Sequence, residues 1–195
     1  MKTTLGTKLF LYPSLTVLLG THVQGRPNFT TVAHLGILNY GQPQYLSFGL
    51  RAAHYSCEGI REHGQFSVNV PSQDLMTATD YCGVVSGRKT DKSGVFELFY
   101  GQSEHAPMIR ACPVTMECSL HQTLRLGEHD IFIAEIIQTH ADPAVLTDKG
   151  DDIDVSKVRP LLFDMALKNY WSLGQPLGTC WKEGLALKKH FKEQD

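Results

Sequence analysis

Two long segments in the second half of the chain have the alternating pattern of β-strands, and they limit what the chain can fold into. Residues 115–126 alternate apolar with mostly polar positions, and residues 131–139 are rich in isoleucine, a strand-forming residue. Between them, Gly127-Glu128-His129-Asp130 has the composition of a hairpin turn. The pattern therefore predicts two strands joined by a tight turn.

Shorter segments elsewhere also have the composition of strands. The predicted short strands cover residues 15–20, 28–34, 45–50 and 66–70. The last of these alternates apolar and polar residues without interruption, which predicts a strand with one buried face. Short apolar pieces at 161–163 and 170–173 follow a polar stretch, 142–160, which we expect to be an exposed excursion. Many short strands with few helices favour a barrel or sandwich over an alternating α/β sheet.

Two short helices are predicted between the strands. Residues 56–64 have Ser56 as the expected N-cap and Gly64 as the terminator. Residues 72–82 place apolar side chains on one face, and Gly83 fits the left-handed position that ends a helix. The tail from Lys182 onward resembles a third helix with a basic C-terminal end.

Composition narrows the class of protein. The chain has 195 residues, 42% of them hydrophobic and 19% charged, which fits one domain over residues 1–195 with a substantial core. A net charge of −2 provides no basic field for a nucleic acid partner. The apolar run at 9–19 is interrupted by Pro13 and has no cleavage site, so it is predicted to contain the first strand rather than a signal peptide. No later segment has the length of a membrane span.

The number and spacing of the cysteines indicate the cellular compartment of the protein. There are five, an odd number, and no Cys-x-x-Cys motif occurs among them. Reduced thiols in a cytoplasmic protein are therefore expected. Cys112, Cys118 and His121 could be considered as metal ligands, but their spacing is too wide for a zinc knuckle and no fourth ligand is assigned. We predict no metal site.

The loop after the second predicted helix has the composition of an anion site. Ser86 and Gly87 are small, and Arg88, Lys89 and Lys92 follow them. Small residues let backbone N–H groups approach an anion, and nearby cations can complete its coordination. No P-loop spacing is present, so a solvated basic turn is the alternative interpretation. On either interpretation Lys92 is expected to be exposed and to contribute little to stability.

Taken in order, several stretches resemble the flavin reductase-like family, which includes the flavoredoxins. The matching stretches are 26–34, 66–71, 80–83, 86–88, 91–92, 127–135 and 170–174. The likeness extends from about Tyr12 to Gly178. It implies a mainly β fold, an FMN-binding split β-barrel of Greek-key type with a few short helices, assembled as a homodimer with each flavin near the subunit interface.

The resemblance also implies a set of FMN-binding residues. Those along the isoalloxazine ring are Asn28, Thr30, Thr31 and His34. Those of the strand beside the ribityl chain and phosphate are Phe48, Gly49, Leu50 and Arg51. Those around the phosphate are Ser56, Ser86, Gly87, Arg88 and Lys92. His129 and Phe163 are implied to approach the flavin, from the same or the partner subunit.

Two positions depart from the family pattern. Position 34 is His where relatives often have an aromatic residue, and position 56 is Ser where Thr is usual. Without the resemblance, His34 is interpreted as a hydrogen-bonded structural histidine and His129 as a turn residue. Tyr170 and Trp171 are interpreted as core or dimer contacts rather than as a flavin-stacking pair. No catalytic dyad or triad is visible, and none is needed, because a flavin carries the redox chemistry itself.

The function implied by the resemblance is that of an FMN oxidoreductase, a flavin reductase that moves hydride from NAD(P)H to flavin. One alternative is a non-enzymatic electron carrier that passes electrons between partner proteins. Another is a flavin-binding or ligand-binding module without catalysis. The expected partners are a second copy of the chain and either NAD(P)H or a redox protein, with no nucleic acid and no membrane.

Overall fold

In the computed structural model of the protein, residues 1–185 and 187 are described. The strands are β1 (Ser14–Leu15), β2 (Val17–Val23), β3 (Arg26–Val32), β4 (Leu35–Ile37), β5 (Tyr45–Arg51), β6 (Gln65–Val70), β7 (Leu98–Phe99), β8 (Met108–Ile109), β9 (Val114–Leu126), β10 (His129–Ala141), β11 (Leu162–Asp164) and β12 (Asn169–Trp171). The helices are α1 (Tyr55–His63), α2 (Met76–Val84) and α3 (Val155–Val158). The helix predicted from Lys182 onward lies largely outside the described residues.

Seven antiparallel strands form the main sheet in the order β3-β2-β6-β9-β10-β5-β4. The two edge strands, β3 and β4, are consecutive in sequence and are joined only by Ala33 and His34. Because two residues cannot span an open sheet of this width, the sheet must curl until its edges approach each other. The result is a split β-barrel, as predicted. Among the described strands, β1, β11 and β12 form a second, small sheet, and β7 pairs with β8.

The predicted long hairpin is present as β9 and β10, each of 13 residues. His129 pairs with Leu126 and Asp130 with Arg125, so the turn contains only Gly127 and Glu128. The hairpin prediction is thus confirmed, but His129 is the first residue of a strand rather than part of the turn.

Strand β6 is buried on both faces, which differs from the prediction of one exposed face. Ser67 and Asn69 have no exposed surface. The Asn69 side chain donates to the Leu18 carbonyl (3.0 Å) and accepts from the Ile109 backbone N–H (2.8 Å). The segment that contains β7 and β8 covers this face, and hydrogen bonds to it offset the burial of the polar side chains. Sequence alternation correctly located the strand but could not show that its polar face is covered.

The barrel core is built around packed phenylalanines. Phe48 packs on Phe66 and Phe132, with ring centroids 5.3 and 5.2 Å apart. A smaller buried cluster on the other side of the sheet contains Leu18 and Phe29. Since Val17 and Leu19 belong to the main cluster, β2 contributes alternate side chains to the two clusters.

Helix α1 is capped two residues earlier than predicted. His54 is its N-cap, so Ser56 is the second helical residue rather than the cap. Gly64 ends the helix with φ of 62°, in the left-handed region, as predicted.

Helix α2 does not end at Gly83, as the sequence suggested. Gly83 lies inside the helix, which continues to Val84 and has Val85 as its C-cap. This glycine instead permits close packing, because a Cβ atom there would lie 3.3 Å from Cβ of Thr31 on β3.

The stretch 142–160 is largely exposed, as expected, but it is held to the barrel. It contains a short 3₁₀ turn, Pro143–Val145, and the helix α3. Val145 and Val158 are buried in the main core. The chain then returns to the barrel as β11 and β12, which bring Phe163 and Tyr170 to one side of it.

Candidate functional site

Most of the predicted cofactor residues surround two adjoining cavities. The first, which we call the wide cavity, has a volume of about 470 Å³. It is lined by Thr16, Thr31, Val32, Ala33, His34, Gly49, Leu50, Arg51, His54, Gly83, His129, Phe163, Met165 and Tyr170. The second, the narrow cavity, has a volume of about 220 Å³. It is lined by Asn28, Thr30, Ala53, His54, Tyr55, Ser56, Cys82, Gly83, Val84, Val85, Ser86, Gly87 and Lys92.

The narrow cavity lies at the first turn of α1. The Asn28 side chain on β3 donates to the Ser56 hydroxyl at 2.8 Å, and both residues are buried. A helix N-terminus carries a partial positive charge and has free N–H groups. These features, with the Ser56 and Ser86 hydroxyls, make the narrow cavity suited to an anionic group.

Gly87 is required for the shape of the narrow cavity. A Cβ atom at this position would lie 2.0 Å from Oδ1 of Asn28 and 2.8 Å from Cδ1 of Tyr55. Contacts this short cannot form, so any side chain at residue 87 must displace the loop or Asn28. The loop can approach β3 and α1 closely only because residue 87 is glycine.

Lys92 is buried, which corrects the expectation of an exposed lysine. Only 3% of its surface is exposed. Its ammonium group donates to the carbonyl oxygens of Val85 (3.0 Å), Cys82 (3.2 Å) and Phe29. Burial lowers the pKa of this ammonium group. Three donors thus meet three backbone acceptors, and Lys92 fixes the end of α2 and the following loop against β3.

Arg88 does not line the narrow cavity. It lines a third cavity of about 370 Å³, which shares Asn28, Tyr55, Gly87 and Lys92 with the narrow one. Its guanidinium pairs with Glu58 and lies over the Tyr55 ring, 5.1 Å from the centroid. Both contacts hold the guanidinium against the first turn of α1.

The wide cavity is bounded on one side by β3 and on the other by the hairpin of β11 and β12. The Thr31 hydroxyl donates to the Thr79 carbonyl, and His34 Nε2 lies 2.9 Å from the Tyr12 hydroxyl. From the hairpin, Phe163 and Tyr170 pack with ring centroids 5.6 Å apart. The cavity therefore has polar groups along one side and aromatic rings along the other.

The Tyr170 hydroxyl donates to Oδ1 of Asp80 at 3.0 Å. Burial and this aspartate raise the pKa of Tyr170 to about 12. The phenol is therefore neutral near pH 7, and its hydrogen bond joins the hairpin to α2.

Among the described residues that line the wide and narrow cavities, none is an aspartate or a glutamate. The cationic side chains there are Arg51 and Lys92, and the histidines are His34, His54 and His129. This distribution favours an anionic ligand over a cationic one. Within residues 1–185 and 187, no three His, Cys, Asp or Glu side chains are grouped to hold a metal ion.

Phe48 is the one predicted residue that lines none of these three cavities. It is 2% exposed and packs in the phenylalanine core, while the next residue, Gly49, lines the wide cavity. The resemblance implied a whole strand beside the cofactor, but side chains of a strand alternate between its faces. The Phe48 side chain lies on the face of β5 that packs in the core.

Several lining residues were not predicted. His54 and Tyr55 precede Ser56, and Met165 and Tyr170 belong to the hairpin that covers the wide cavity. The N-terminal position of α1 could have indicated His54 and Tyr55. Met165 and Tyr170 reach the cavity only through the pairing of β11 with β1 and β12, which no local pattern specifies.

The curled sheet with its adjoining cavities defines a split-barrel protein of the flavin reductase type. The sequence profile of the family described as "Flavin reductase like domain" matches residues 9–165, and the chain belongs to this family. This confirms the resemblance seen in the sequence.

Two solved structures of flavoredoxins are similar to this chain in sequence and in fold. The flavoredoxin from Methanosarcina acetivorans is 38% identical, with 96% of this chain and 99% of that chain covered and a TM-score of 0.91. The flavoredoxin of Desulfovibrio vulgaris (Miyazaki F) is 31% identical, with 94% and 100% covered and a TM-score of 0.86. An uncharacterized protein from Archaeoglobus fulgidus is 31% identical over 136 residues, 68% of this chain and 76% of that protein.

Proposed function

We propose that the protein binds FMN, with the phosphate in the narrow cavity and the isoalloxazine ring in the wide cavity. The observation that carries this proposal is the junction of the two cavities, which share His54 and Gly83 as walls. One cavity offers small-residue loops, hydroxyls and a helix N-terminus, and the other offers a larger space between polar and aromatic side chains. A molecule with a terminal phosphate and a flat heteroaromatic ring matches this pair.

The proposed roles follow from these positions. Ser56, Ser86 and Gly87 would hold the phosphate, and Lys92 would keep the surrounding backbone in place. Thr31, His34 and Gly49 would lie along the ring, with Phe163 and Tyr170 across from them. When bound, the flavin supplies the capacity to accept and donate hydride or single electrons. The protein's part is to hold the ring, limit water access and set the charge around it.

The test is the flavin content of the purified protein. We expect it to be yellow and to release FMN, rather than FAD, on denaturation, because the phosphate pocket is small and closely formed by Gly87 and Asn28. Protein that purifies without colour should take up added FMN in a titration. A protein that does not bind FMN, whether or not it binds FAD, would refute the proposal.

We further propose that the protein acts as an NAD(P)H-dependent flavin oxidoreductase. The similarity to flavoredoxins at 38% and 31% identity also favours the second candidate, an electron carrier between proteins. Anaerobic addition of NADH or NADPH to the flavin-loaded protein distinguishes the oxidoreductase from the electron carrier. Rapid loss of the flavin absorbance, with turnover when free FMN is supplied, indicates a reductase. A flavin that is reduced only by a redox protein or a chemical reductant indicates a carrier.

A homodimer is proposed from apolar surface outside the cavities. Ile37 on the edge strand β4 is 83% exposed, and the nearby Tyr40 is 99% exposed. Edge strands with exposed apolar side chains are generally covered in native proteins, and a two-fold copy is the commonest cover. The mass in solution at micromolar concentration should be twice that of the chain. A flavin-loaded monomer at that concentration would contradict this proposal.

We place the protein in the cytoplasm, a proposal supported by its cysteines. All five cysteines lie in the described part of the chain and are free thiols, four of them buried. Persistent free thiols are typical of reducing compartments. Within the described residues, no helix has the length and apolarity needed to cross a membrane.

The placement of Phe48 in the core gives a prediction that separates packing from binding. Phe48→Leu should lower the free energy of unfolding by about 1.5 kcal/mol, since it removes ring contacts with Phe66 and Phe132. FMN affinity should be unchanged, because the side chain does not reach the cavities. Phe163→Leu is the matched control and should weaken FMN binding with a smaller effect on unfolding. Denaturant titrations and fluorescence titrations with FMN measure both quantities, and weaker FMN binding in Phe48→Leu alone would contradict the placement.

A further inference from the structure

His54 occupies the place where the wide and narrow cavities meet. It is the N-cap of α1, and it lines both cavities. Its backbone N–H donates to the Arg51 carbonyl (2.8 Å), and its own carbonyl accepts from Cys57 (3.0 Å). The imidazole itself makes no hydrogen bond to any described residue, and it does not cap the helix. Its backbone is therefore fixed while its ring nitrogens remain available to a ligand.

Basic groups surround this imidazole. They come from three different elements: Arg51 at the end of β5, His129 at the start of β10, and Lys92 in the loop after α2. Burial, followed by these three groups, lowers the pKa of His54. The remaining titratable side chains that line the two cavities are His34, Tyr55, Cys82 and Tyr170. No carboxylate among the described lining residues offsets the positive charge, so the imidazole is neutral near pH 7 in the absence of a ligand.

An anionic ligand in the narrow cavity favours the protonated imidazole instead of the neutral one. The phosphate of FMN carries close to two negative charges at pH 7 and above. An opposite charge within hydrogen-bonding distance favours the protonated form of an imidazole and raises its pKa. The same charge also attracts Arg51 and Lys92, which weakens their effect on His54.

We propose that His54 takes up a proton when the phosphate of FMN binds, and that this residue thereby makes FMN affinity depend on pH. The inference rests on the proposed function. Proton uptake on binding means that affinity rises as the pH falls through the pKa of His54 in the complex. The gain stops once the pH is below the pKa of the free protein. Riboflavin, which lacks the phosphate, should bind without this proton.

The experiment is calorimetric titration of the flavin-free full-length protein with FMN and with riboflavin. Measurements at pH 7.5 in two buffers of different ionisation enthalpy give the number of protons taken up. Affinities are also measured at pH 7 and pH 8.5. Both pH values lie above the second pKa of the phosphate, about 6, so the charge of the ligand changes little between them. We expect up to about one proton with FMN, an affinity roughly 10-fold higher at the lower pH, and neither effect with riboflavin.

Two variants test whether His54 is the group that takes up the proton. His54→Gln keeps a polar side chain at the N-cap and should abolish both the proton uptake and the pH dependence. His121→Gln is the matched control, since this histidine is exposed on β9 and lines neither cavity, and it should retain them. Riboflavin binding by His54→Gln shows that the variant is folded.

The possible results separate the two proposals. FMN binding without proton uptake, or with the same uptake in His54→Gln, overturns the inference and leaves the proposed function standing. A protein that binds neither flavin overturns both.

Discussion

Lys92→Met should lower the free energy of unfolding by about 3 kcal/mol. The substitution keeps the length of the side chain but removes the ammonium group that pairs with the carbonyls of Phe29, Cys82 and Val85. Each buried acceptor left without a donor costs about 1–3 kcal/mol, and partial relaxation reduces the total. FMN affinity should fall about 10-fold or more, because Cys82 and Val85 form walls of the narrow cavity.

Lys89→Met is the matched control for this prediction. Lys89 is an exposed lysine of the same loop, and it lines only the third cavity. Its replacement should leave the free energy of unfolding nearly unchanged, as is usual for exposed charges. Urea titrations of both variants and the parent measure the difference. Equal stability of Lys92→Met and the parent would mean that Lys92 is a surface lysine after all.

Gly87→Ala should weaken FMN binding roughly 5- to 150-fold. The added Cβ would lie 2.0 Å from Asn28 Oδ1, so either the loop or Asn28 must move, and the contact between Asn28 and Ser56 is disturbed. Overpacking of this kind typically costs about 1–3 kcal/mol, which corresponds to the stated loss. Riboflavin should be affected much less, because its ring would occupy the wide cavity, which Gly87 does not line.

Gly94→Ala is the control for the substitution itself. Gly94 lies in the same loop region, and a Cβ atom there would meet nothing within 4 Å. This variant should bind FMN and riboflavin as the parent does. If Gly87→Ala binds FMN with parental affinity, the narrow cavity does not hold the phosphate.

The strands of the barrel were predictable because their pattern is local. Alternation and strand-forming residues located β9, β10, β5 and β6 to within a few residues. The turn at Gly127 and the helix end at Gly64 follow from glycine's access to positive φ, which any chain would use in the same way. The resemblance of the ordered stretches to the family predicted the split barrel and about half of the residues that line the wide and narrow cavities.

The direction of individual side chains was less predictable, because it depends on what covers each face. Ser67 and Asn69 are buried by a segment about 40 residues away in sequence. Phe48 points into the core although its neighbour Gly49 reaches the cavity. The sequence around Gly83 is typical of a helix end, but the helix continues past it. The absence of a side chain at Gly83 instead allows α2 to pack closely against Thr31 on β3.

The class of fold, the position of most strands and the small, basic character of the loop at residues 86–92 could be predicted from the amino-acid sequence. Three features of the site follow only from the folded structure: Lys92 is buried as a structural residue, Arg88 is held by Glu58, and His54 lies between two cavities. The physical reason is the range of the interactions. Backbone preferences act within a few residues, whereas the burial of a charge and the walls of a cavity depend on distant segments that meet only when the sheet curls.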